Sequence, residues 1–183
     1  MINKSNIRKG VILIADFSGF TEFVYNTQPD IGETITRELL SALIDANGNN
    51  FYVSEIEGDA VLFYNYQKRP CYVRVMELLY RLAEVFNDRL SHLERDLDVK
   101  TRMSLKFIVH HGEFSRYMIR GFKKLYGRSV VEVHKLLKNE FAVLTSYILL
   151  TSQFLIAAKK VASTISDNES VIEGVGQIYY LKK

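Results

Sequence analysis

Hydrophobic positions along the chain follow two periods, that of a buried strand and that of an amphipathic helix. An unbroken run of aliphatic residues at positions 11–15 predicts a strand that is buried on both faces. Apolar residues recur at helical spacing over positions 31–46 and 73–97, which predicts two long amphipathic helices. Positions 101–111 alternate between apolar and polar or small residues, and we expect this strand to turn at Gly112 into a second strand over positions 113–122.

The other segments predict shorter elements that connect these long ones. Positions 51–56 and 60–66 form two strand patterns, which the tight turn at positions 57–59 joins into a hairpin. The remaining predictions are helices over 20–25, over 129–138 and from Thr151 or Ser152 to about 163, a strand over 147–150, a polar turn over 166–170 and a closing strand within 174–181. Because helices are mixed with hairpins, we expect an α+β fold: one domain over residues 1–183, with helices packed on a mostly antiparallel central sheet.

Composition narrows the class of protein without pointing to a function. Hydrophobic residues make up 48% of the chain and charged residues 25%, which excludes disorder and fibrous repeats. The net charge of +3 is too small to demand a nucleic-acid or membrane partner. The single cysteine, Cys71, excludes disulfides and cysteine-based zinc sites within one chain, and no apolar run is long enough to cross a bilayer. We therefore expect a cytoplasmic protein that neither binds nucleic acid nor inserts into a membrane.

Two aspartates at strand ends are the most informative candidates for chemistry. Asp16 closes the first strand and precedes a helix start, and Asp59 lies in the turn of the hairpin. A carboxylate beside the free N–H groups of a helix start can hold a hard cation and a phosphate together. Two such carboxylates from adjacent strands can hold a pair of metal ions for phosphoryl transfer. The alternative is an aspartate that caps a helix and another that stabilises a turn, both of which are common.

Four motifs occur in the order that is typical of one enzyme family. Positions 14–21, Ile-Ala-Asp-Phe-Ser-Gly-Phe-Thr, resemble the metal-binding strand of the class III nucleotidyl cyclases, the adenylate and guanylate cyclase catalytic domains. Positions 55–60, Glu-Ile-Glu-Gly-Asp-Ala, resemble the hairpin that carries the second metal aspartate in that family. Positions 107–113 are similar to its His-x-Gly strand, and positions 126–135 to the start of its catalytic helix. The resemblance covers nearly the whole chain and is nearest to a bacterial cyclase-like family of unknown function.

The resemblance implies a fold, a cofactor and a reaction. The fold would be the ferredoxin-like sandwich of the cyclases, with Asp16 and Asp59 as ligands of two Mg²⁺ or Mn²⁺ ions. A nucleoside triphosphate would be converted to a 3′,5′-cyclic nucleotide, at a site between the two chains of a homodimer. The backbone N–H groups of the segment after Asp16 would bind the triphosphate; its residues are Phe17, Ser18, Gly19, Phe20 and Thr21.

The resemblance also assigns the base-reading positions to Glu55 and Lys124. A carboxylate at position 55 can accept hydrogen bonds from guanine but not from adenine, which favours GTP over ATP, and Lys124 could donate to the guanine carbonyl. The alternative is a salt bridge between Glu55 and Lys124 that needs no nucleotide.

The catalytic end departs from the family pattern. Val131 and Lys135 stand where the family has Asn and Arg, so Lys135 is the remaining candidate for a catalytic residue. Valine cannot hydrogen-bond a ribose, and lysine lacks the bidentate fork of arginine. Whether the chain is an enzyme therefore stays open. It is either a weak or degenerate cyclase, or an inactive module of bacterial signalling that binds nucleotide and metal or serves for dimerisation.

Two adjacent histidines, His110 and His111, fall within a predicted strand. Successive side chains of a strand point to opposite faces, so these two cannot bind one metal ion together. We expect one of them to be a hydrogen-bonded residue of the core or of an interface.

Overall fold

The computed structural model describes residues 6–137, 146–165 and 168–182, and within them the chain forms eight strands and five α-helices. In chain order these are β1 (Arg8–Ser18), α1 (Phe20–Asn26), α2 (Pro29–Asn47), β2 (Tyr52–Glu57), β3 (Ala60–Asn65), α3 (Tyr72–Asp96), β4 (Ser104–Ile119), β5 (Phe122–Tyr126), α4 (Arg128–Leu137), β6 (Tyr147–Thr151), α5 (Ser152–Ala157), β7 (Glu169–Ile172) and β8 (Gly176–Lys182). A 3₁₀ turn, Ala162–Thr164, follows α5. None of the helices in these ranges combines the length and the apolar character needed to cross a membrane.

The strands form one sheet in the order β2-β3-β1-β4-β6-β8-β7, and β5 pairs with the far end of β4. All neighbours are antiparallel except β4 and β6, which are parallel. The predicted α+β class with a mostly antiparallel sheet is therefore confirmed. The central strand β1 pairs with β4 along its whole length, from Arg8 opposite Phe114 to Ser18 opposite Ser104.

Helices cover both faces of the sheet, as the unbroken apolar run in β1 predicts. Val11 and Leu13 belong to the core between the sheet and helices α2 and α3. Ile12 and Ile14 belong to a second core beneath α4. Each fully buried side chain of this size stabilises the fold by roughly 1.5–3 kcal/mol, so β1 is held firmly on both sides. Asp16, at the end of this strand, is consequently fixed in position.

The expected turn at Gly112 is wrong, because β4 continues through this residue to Ile119. Gly112 lies opposite Gly10 of β1, and a β-carbon on it would come within 2.0 Å of the Ser129 hydroxyl oxygen. The glycine is therefore needed for the close approach of α4 to the sheet. The hairpin turns instead at Arg120 and Gly121, both at positive φ.

Two predictions near the carboxyl end also need correction. Helix α5 ends at Ala157 instead of continuing to about 163, and Lys159 follows it at a left-handed φ of 55°. The segment over positions 166–170 is only partly a turn, because β7 begins at Glu169 and pairs with β8. Positions 166–167, and the predicted last residue of α4, Lys138, lie outside the described residues.

Candidate functional site

The two candidate metal ligands come together at one end of the central strands. Asp16 lies opposite Ala60 in the pairing of β1 with β3, and Asp59 is the turn residue just before Ala60, close enough for the charge of Asp16 to raise its pKa. The N–H of Phe17 donates to the carbonyl of Asp59 at 3.2 Å, which ties the hairpin turn to β1. The two aspartates, 43 positions apart in the sequence, thus form one pair, with Asp16 on β1 and Asp59 in the turn between β2 and β3.

The aspartate pair is partly shielded from solvent, and this changes its titration. Burial, and then the nearby charge of Asp16, raise the pKa of Asp59 from 3.8 to about 6. The charge of Lys106 lowers the pKa of Asp59. The ammonium of Lys106 lies 2.6 Å from Asp16 Oδ2. The side chains of this ion pair are only 15% and 13% exposed. The pair therefore carries a surplus of negative charge that one lysine does not fully neutralise.

Lys106 is the residue of this site that sequence reasoning missed. It lies directly opposite Asp16 in the pairing of β1 with β4, so the two side chains share a face of the sheet. The alternation of apolar residues predicts that Lys106 lies on the polar side of its strand. Its partner follows only from the strand register, which the sequence pattern does not specify.

The segment expected to bind phosphates divides into two parts. Phe17 still belongs to β1; its ring is buried, 5.0 Å from that of Phe86, and its N–H is used by Asp59. Phe17 is thus a core residue whose N–H is not free for a ligand. Gly19 follows at a left-handed φ of 79° and precedes α1 without a side-chain cap. The backbone from Ser18 to Thr21 stays a prediction as a phosphate site.

The two candidate base-reading residues also come together. Glu55 on β2 and Lys124 on β5 form an ion pair, in which the Glu55 side chain is 15% exposed and that of Lys124 is 45% exposed. The hydrogen bond and charge of Glu55 raise the pKa of Lys124 above its ordinary value. This contact is the alternative that the sequence left open, a salt bridge that forms without a nucleotide.

Helix α4 carries the residues at the catalytic positions. Val131 is exposed on this helix. The Lys135 ammonium lies against the link between β7 and β8, since a β-carbon on Gly174 would come within 3.0 Å of its Nζ. Strand β8 is three strands away from β1, which corresponds to about 14 Å across the sheet. Within one chain, Lys135 and the aspartate pair therefore lie at different places on the sheet.

A hydrogen-bond network joins α4 to the sheet through the buried side chains of Glu132 and His110. Arg128 Nε donates to Glu132 Oε1 at 2.7 Å, and Glu132 Oε2 lies 3.1 Å from His110 Nε2. The other ring nitrogen of His110 lies 3.1 Å from the hydroxyl oxygen of Thr151, which caps α5. Burial lowers the pKa of His110, although Glu132 opposes this shift. The expectation of a hydrogen-bonded core histidine is confirmed.

The donor set at the aspartate pair suits a cation that takes most of its ligands from elsewhere. Among the described residues, no group of three or more His, Cys, Asp or Glu side chains is placed to hold a metal ion. Mg²⁺ commonly uses only one or two carboxylates and completes its shell with phosphates and water. The two aspartates thus fit a magnesium or manganese ion that arrives with a phosphate ligand.

Comparison with known proteins relates the chain to proteins without an assigned activity. Residues 36–146 match the family described as "Protein of unknown function (DUF2652)". The uncharacterized protein Rv2561/Rv2562 of Mycobacterium tuberculosis (strain ATCC 25618 / H37Rv) is 26% identical over 151 residues, which cover 76% of this chain and 68% of that protein.

Solved structures relate the fold to nucleotidyl cyclases. The guanylyl cyclase Cya2 superposes with a TM-score of 0.74 at 15% identity, over 96% of this chain and 92% of that one. The adenylyl cyclase CyaB from P. aeruginosa gives 0.74 at 12% identity, over 99% and 97%. The guanylate cyclase domain of RhGC from Catenaria anguillulae, in complex with GTP, gives 0.66 at 11% identity, over 94% of each chain. At such identities these similarities establish the fold alone: that of a cyclase catalytic domain.

Proposed function

The chain belongs to the DUF2652 family, and we propose that it is a nucleotidyl cyclase-like domain that binds a nucleoside triphosphate together with a divalent cation. The observation that carries this proposal is the proximity of Asp16, on β1, to Asp59, in the turn before the adjoining strand β3 of a cyclase fold. Two half-buried carboxylates repel each other, as the raised pKa of Asp59 reflects. Such a costly arrangement is typical of a ligand site and gives no stability by itself.

Asp16 and Asp59 are the residues that would hold Mg²⁺ or Mn²⁺, one ion or the two of the cyclase arrangement. When bound, the cation neutralises phosphate charge and lowers the pKa of the attacking hydroxyl. Lys106 lies against Asp16 and limits the charge repulsion within the pair. The backbone of residues 18–21 adjoins this pair and would bind the triphosphate.

Glu55 and Lys124 would read the base once their ion pair opens. A guanine offers its N1–H and 2-amino donors to Glu55 and its carbonyl oxygen to Lys124, so it replaces both partners of the pair. Adenine has an acceptor where Glu55 needs a donor. The nucleotide is therefore GTP in preference to ATP.

In the proposed reaction, the 3′-hydroxyl of the nucleotide releases its proton to solvent, its oxygen forms a bond to the α-phosphorus, and the bond from this phosphorus to the pyrophosphate oxygen breaks. The products are a 3′,5′-cyclic nucleotide and pyrophosphate. Lys135 would place a positive charge beside the reacting phosphate, while Val131 offers the ribose no hydrogen bond. We propose that turnover is consequently weak.

A homodimer would bring the two halves of the site together. Within one chain Lys135 lies against the link to β8, and β8 is about 14 Å across the sheet from β1, which carries Asp16; a second copy could close this gap. The β4–β5 hairpin and α4 expose large apolar side chains, which are typical of an interaction surface. They are Tyr117, Met118, Ile119, Phe122, Tyr126 and Val131.

A second candidate function is a binding or dimerisation module without turnover. The observation that favours it is that the polar groups near the catalytic positions are already paired within the chain. Lys124 is bonded to Glu55, and Arg128 to Glu132. Neither pair needs a nucleotide in order to be satisfied.

The experiment that separates the two functions is a product assay with purified protein, GTP and Mn²⁺. We expect slow formation of cyclic GMP and pyrophosphate, which Asp16→Asn abolishes because the cation loses a ligand. Bound GTP without any product would support the binding module. Absence of both binding and product would contradict the cyclase and the nucleotide-binding module and would leave a purely structural role in dimerisation.

A further inference from the structure

Four cationic side chains line a cleft of about 480 Å³ at the end of the sheet opposite to the aspartate pair. Lys9 belongs to the start of β1, Lys68 and Arg69 to the link between β3 and α3, and Lys159 to the segment after α5. Lys9 and Asp16 are seven residues apart on extended β1, which corresponds to about 23 Å. The cleft is therefore a separate place from the proposed nucleotide site. We refer to it as the basic cleft.

The positive charge of the basic cleft is poorly compensated. Its lining contains one carboxylate, Glu113, whose oxygen lies 3.9 Å from Lys9 Nζ in an ion pair that is more than half exposed. In the ranges that the structure describes, the other three cations form no ion pair. With His111 neutral, the four cations and one carboxylate give the lining of the cleft a charge of +3.

The segment that carries Lys68 and Arg69 is anchored at both ends. On one side the largely buried His111 ring donates through Nε2 to the carbonyl of Gln67 at 3.0 Å. On the other side Pro70 is buried and restricts the backbone of Arg69. The backbone that carries the two exposed cations is therefore tied to the fold on both sides.

The opposite wall is fixed as well. Gln153 of α5 donates to the carbonyl of Val175 at 2.8 Å, and Lys159 follows the helix at a left-handed φ of 55°. A left-handed conformation costs a non-glycine residue roughly 1–2 kcal/mol, so the chain is bent here at an energetic cost. Both walls of the cleft are thus built from residues with defined positions.

We propose that the basic cleft binds a phosphorylated small molecule with two or more negative charges. Its volume lies within the range of small-ligand pockets. A guanidinium that can bond two phosphate oxygens, together with several ammonium groups, is the donor set that suits phosphate. An anion at this place would also relieve the mutual repulsion of the four cations.

Inorganic pyrophosphate is the probe, titrated calorimetrically into the full chain with EDTA present so that no divalent cation bridges it to the aspartate pair. We expect saturable binding that Lys68→Glu/Arg69→Glu weakens at least tenfold. The matched control Arg81→Glu/Lys123→Glu makes the same charge change away from the cleft and should leave binding within twofold. If thermal unfolding indicates that the double reversal does not fold, Lys68→Gln/Arg69→Gln replaces it, with the same expected direction.

Four results with small ligands would overturn the proposal: no binding of pyrophosphate, an equal loss in the control variant, binding that Lys106→Gln abolishes, or equally tight binding of citrate. The third would place the probe at the aspartate pair, and the fourth would indicate charge recognition without a preference for phosphate. Displacement of pyrophosphate by an oligonucleotide at lower concentration would overturn it in favour of a nucleic-acid site. None of these results depends on nucleotide turnover, so the proposed cyclase-like function stands or falls separately.

Discussion

At the scale of single residues, Asp59 carries an electrostatic cost that the fold does not require. Burial and the charge of Asp16 both favour its protonated form, and the opposing charge of Lys106 only partly offsets them. An asparagine would fit the same turn without this cost. The retained charge is consistent with a site that awaits a cation.

The pH dependence of stability follows from this shift. Because the folded chain holds the Asp59 proton up to about pH 6 and the unfolded chain releases it near 3.8, stability falls as the pH rises through this window. In chelator, we expect Asp59→Asn to raise the free energy of unfolding by about 1 kcal/mol above pH 7, a value discounted for solvent screening, and to have no effect below pH 4. Chemical denaturation at both pH values measures this. Glu57→Gln in the same turn is the control, and an equal gain in that variant would contradict the assignment.

In the proposed function, the preference for GTP over ATP depends on one residue, Glu55. Hydrogen bonds to a charged group are worth about 1.5–3 kcal/mol, so we expect the chain to bind GTP roughly ten- to a hundredfold more tightly than ATP. Glu55→Lys should remove this preference, because an ammonium cannot accept from guanine and repels Lys124. Competition binding with both nucleotides measures it, and Glu55→Gln controls for loss of the ion pair alone. An unchanged preference in Glu55→Lys would sink the argument.

The sequence motifs point to most of these candidate residues but not to all of their surroundings. Asp16, Asp59, Glu55 and Lys124 stand out because their motifs keep fixed spacings along the chain. Lys106 does not stand out in the sequence, since its role depends on which residue faces it across the sheet. The motif places Phe17 in the predicted phosphate segment, because a motif does not indicate where a strand ends. It also does not indicate which N–H groups donate to neighbouring parts of the chain.

At the scale of elements, α4 carries the positions at which the chain departs from the cyclase pattern. The network of Arg128, Glu132 and His110 holds the helix on the sheet, so its exposed face is presented in a defined orientation. That face carries Val131, whose side chain makes no hydrogen bond. The position of α4 is thus fixed by the fold. The side chains that it presents are what depart from the cyclase pattern.

Restoring the family residues on α4 should raise turnover. One transition-state donor is worth about 2.7–4 kcal/mol, so we expect Val131→Asn/Lys135→Arg to increase cyclic nucleotide formation about a hundred- to a thousandfold. Val131 is 58% exposed, so the change should cost little stability. Val161→Asn/Lys135→Arg, with the asparagine at another exposed valine, is the matched control. Unchanged background activity with bound nucleotide would favour the binding module instead.

Local patterns predicted the elements well where periodicity was long, and less well where tertiary contacts intervene. The long helices α2 and α3 and the strand β1 follow directly from their apolar spacing. Gly112 was expected to mark a turn, because the sequence does not record that Ser129 packs against it. Strand β7 was missed because its polar residues read as a loop, and only the pairing with β8 makes it a strand.

At the scale of the whole molecule, the separation of the aspartate pair from Lys135 predicts sites that are shared between two chains. In a symmetric dimer, each site would take its metal ligands from one chain and its base-reading residues from the other. A chain that lacks one set can then complement a chain that lacks the other.

Mixing two defective variants tests this sharing. Asp59→Asn and Glu55→Lys should each bind GTP poorly alone. After unfolding and refolding together in equal amounts, about a quarter of the wild-type number of sites should return, because half of the dimers are mixed and each has one intact site. Titration with GTP and Mn²⁺ gives the number of sites. No recovery, in mixtures where mass spectrometry detects mixed dimers, would mean that each site lies within one chain.

The measurement that tests the central claim most directly is a calorimetric titration of GTP into the wild-type chain with and without Mn²⁺, repeated with Asp16→Asn/Asp59→Asn. The account predicts saturable binding that requires the cation and is lost in the double variant, while the fold is retained. Binding that is absent, or equally tight without Mn²⁺ and in the double variant, would contradict it.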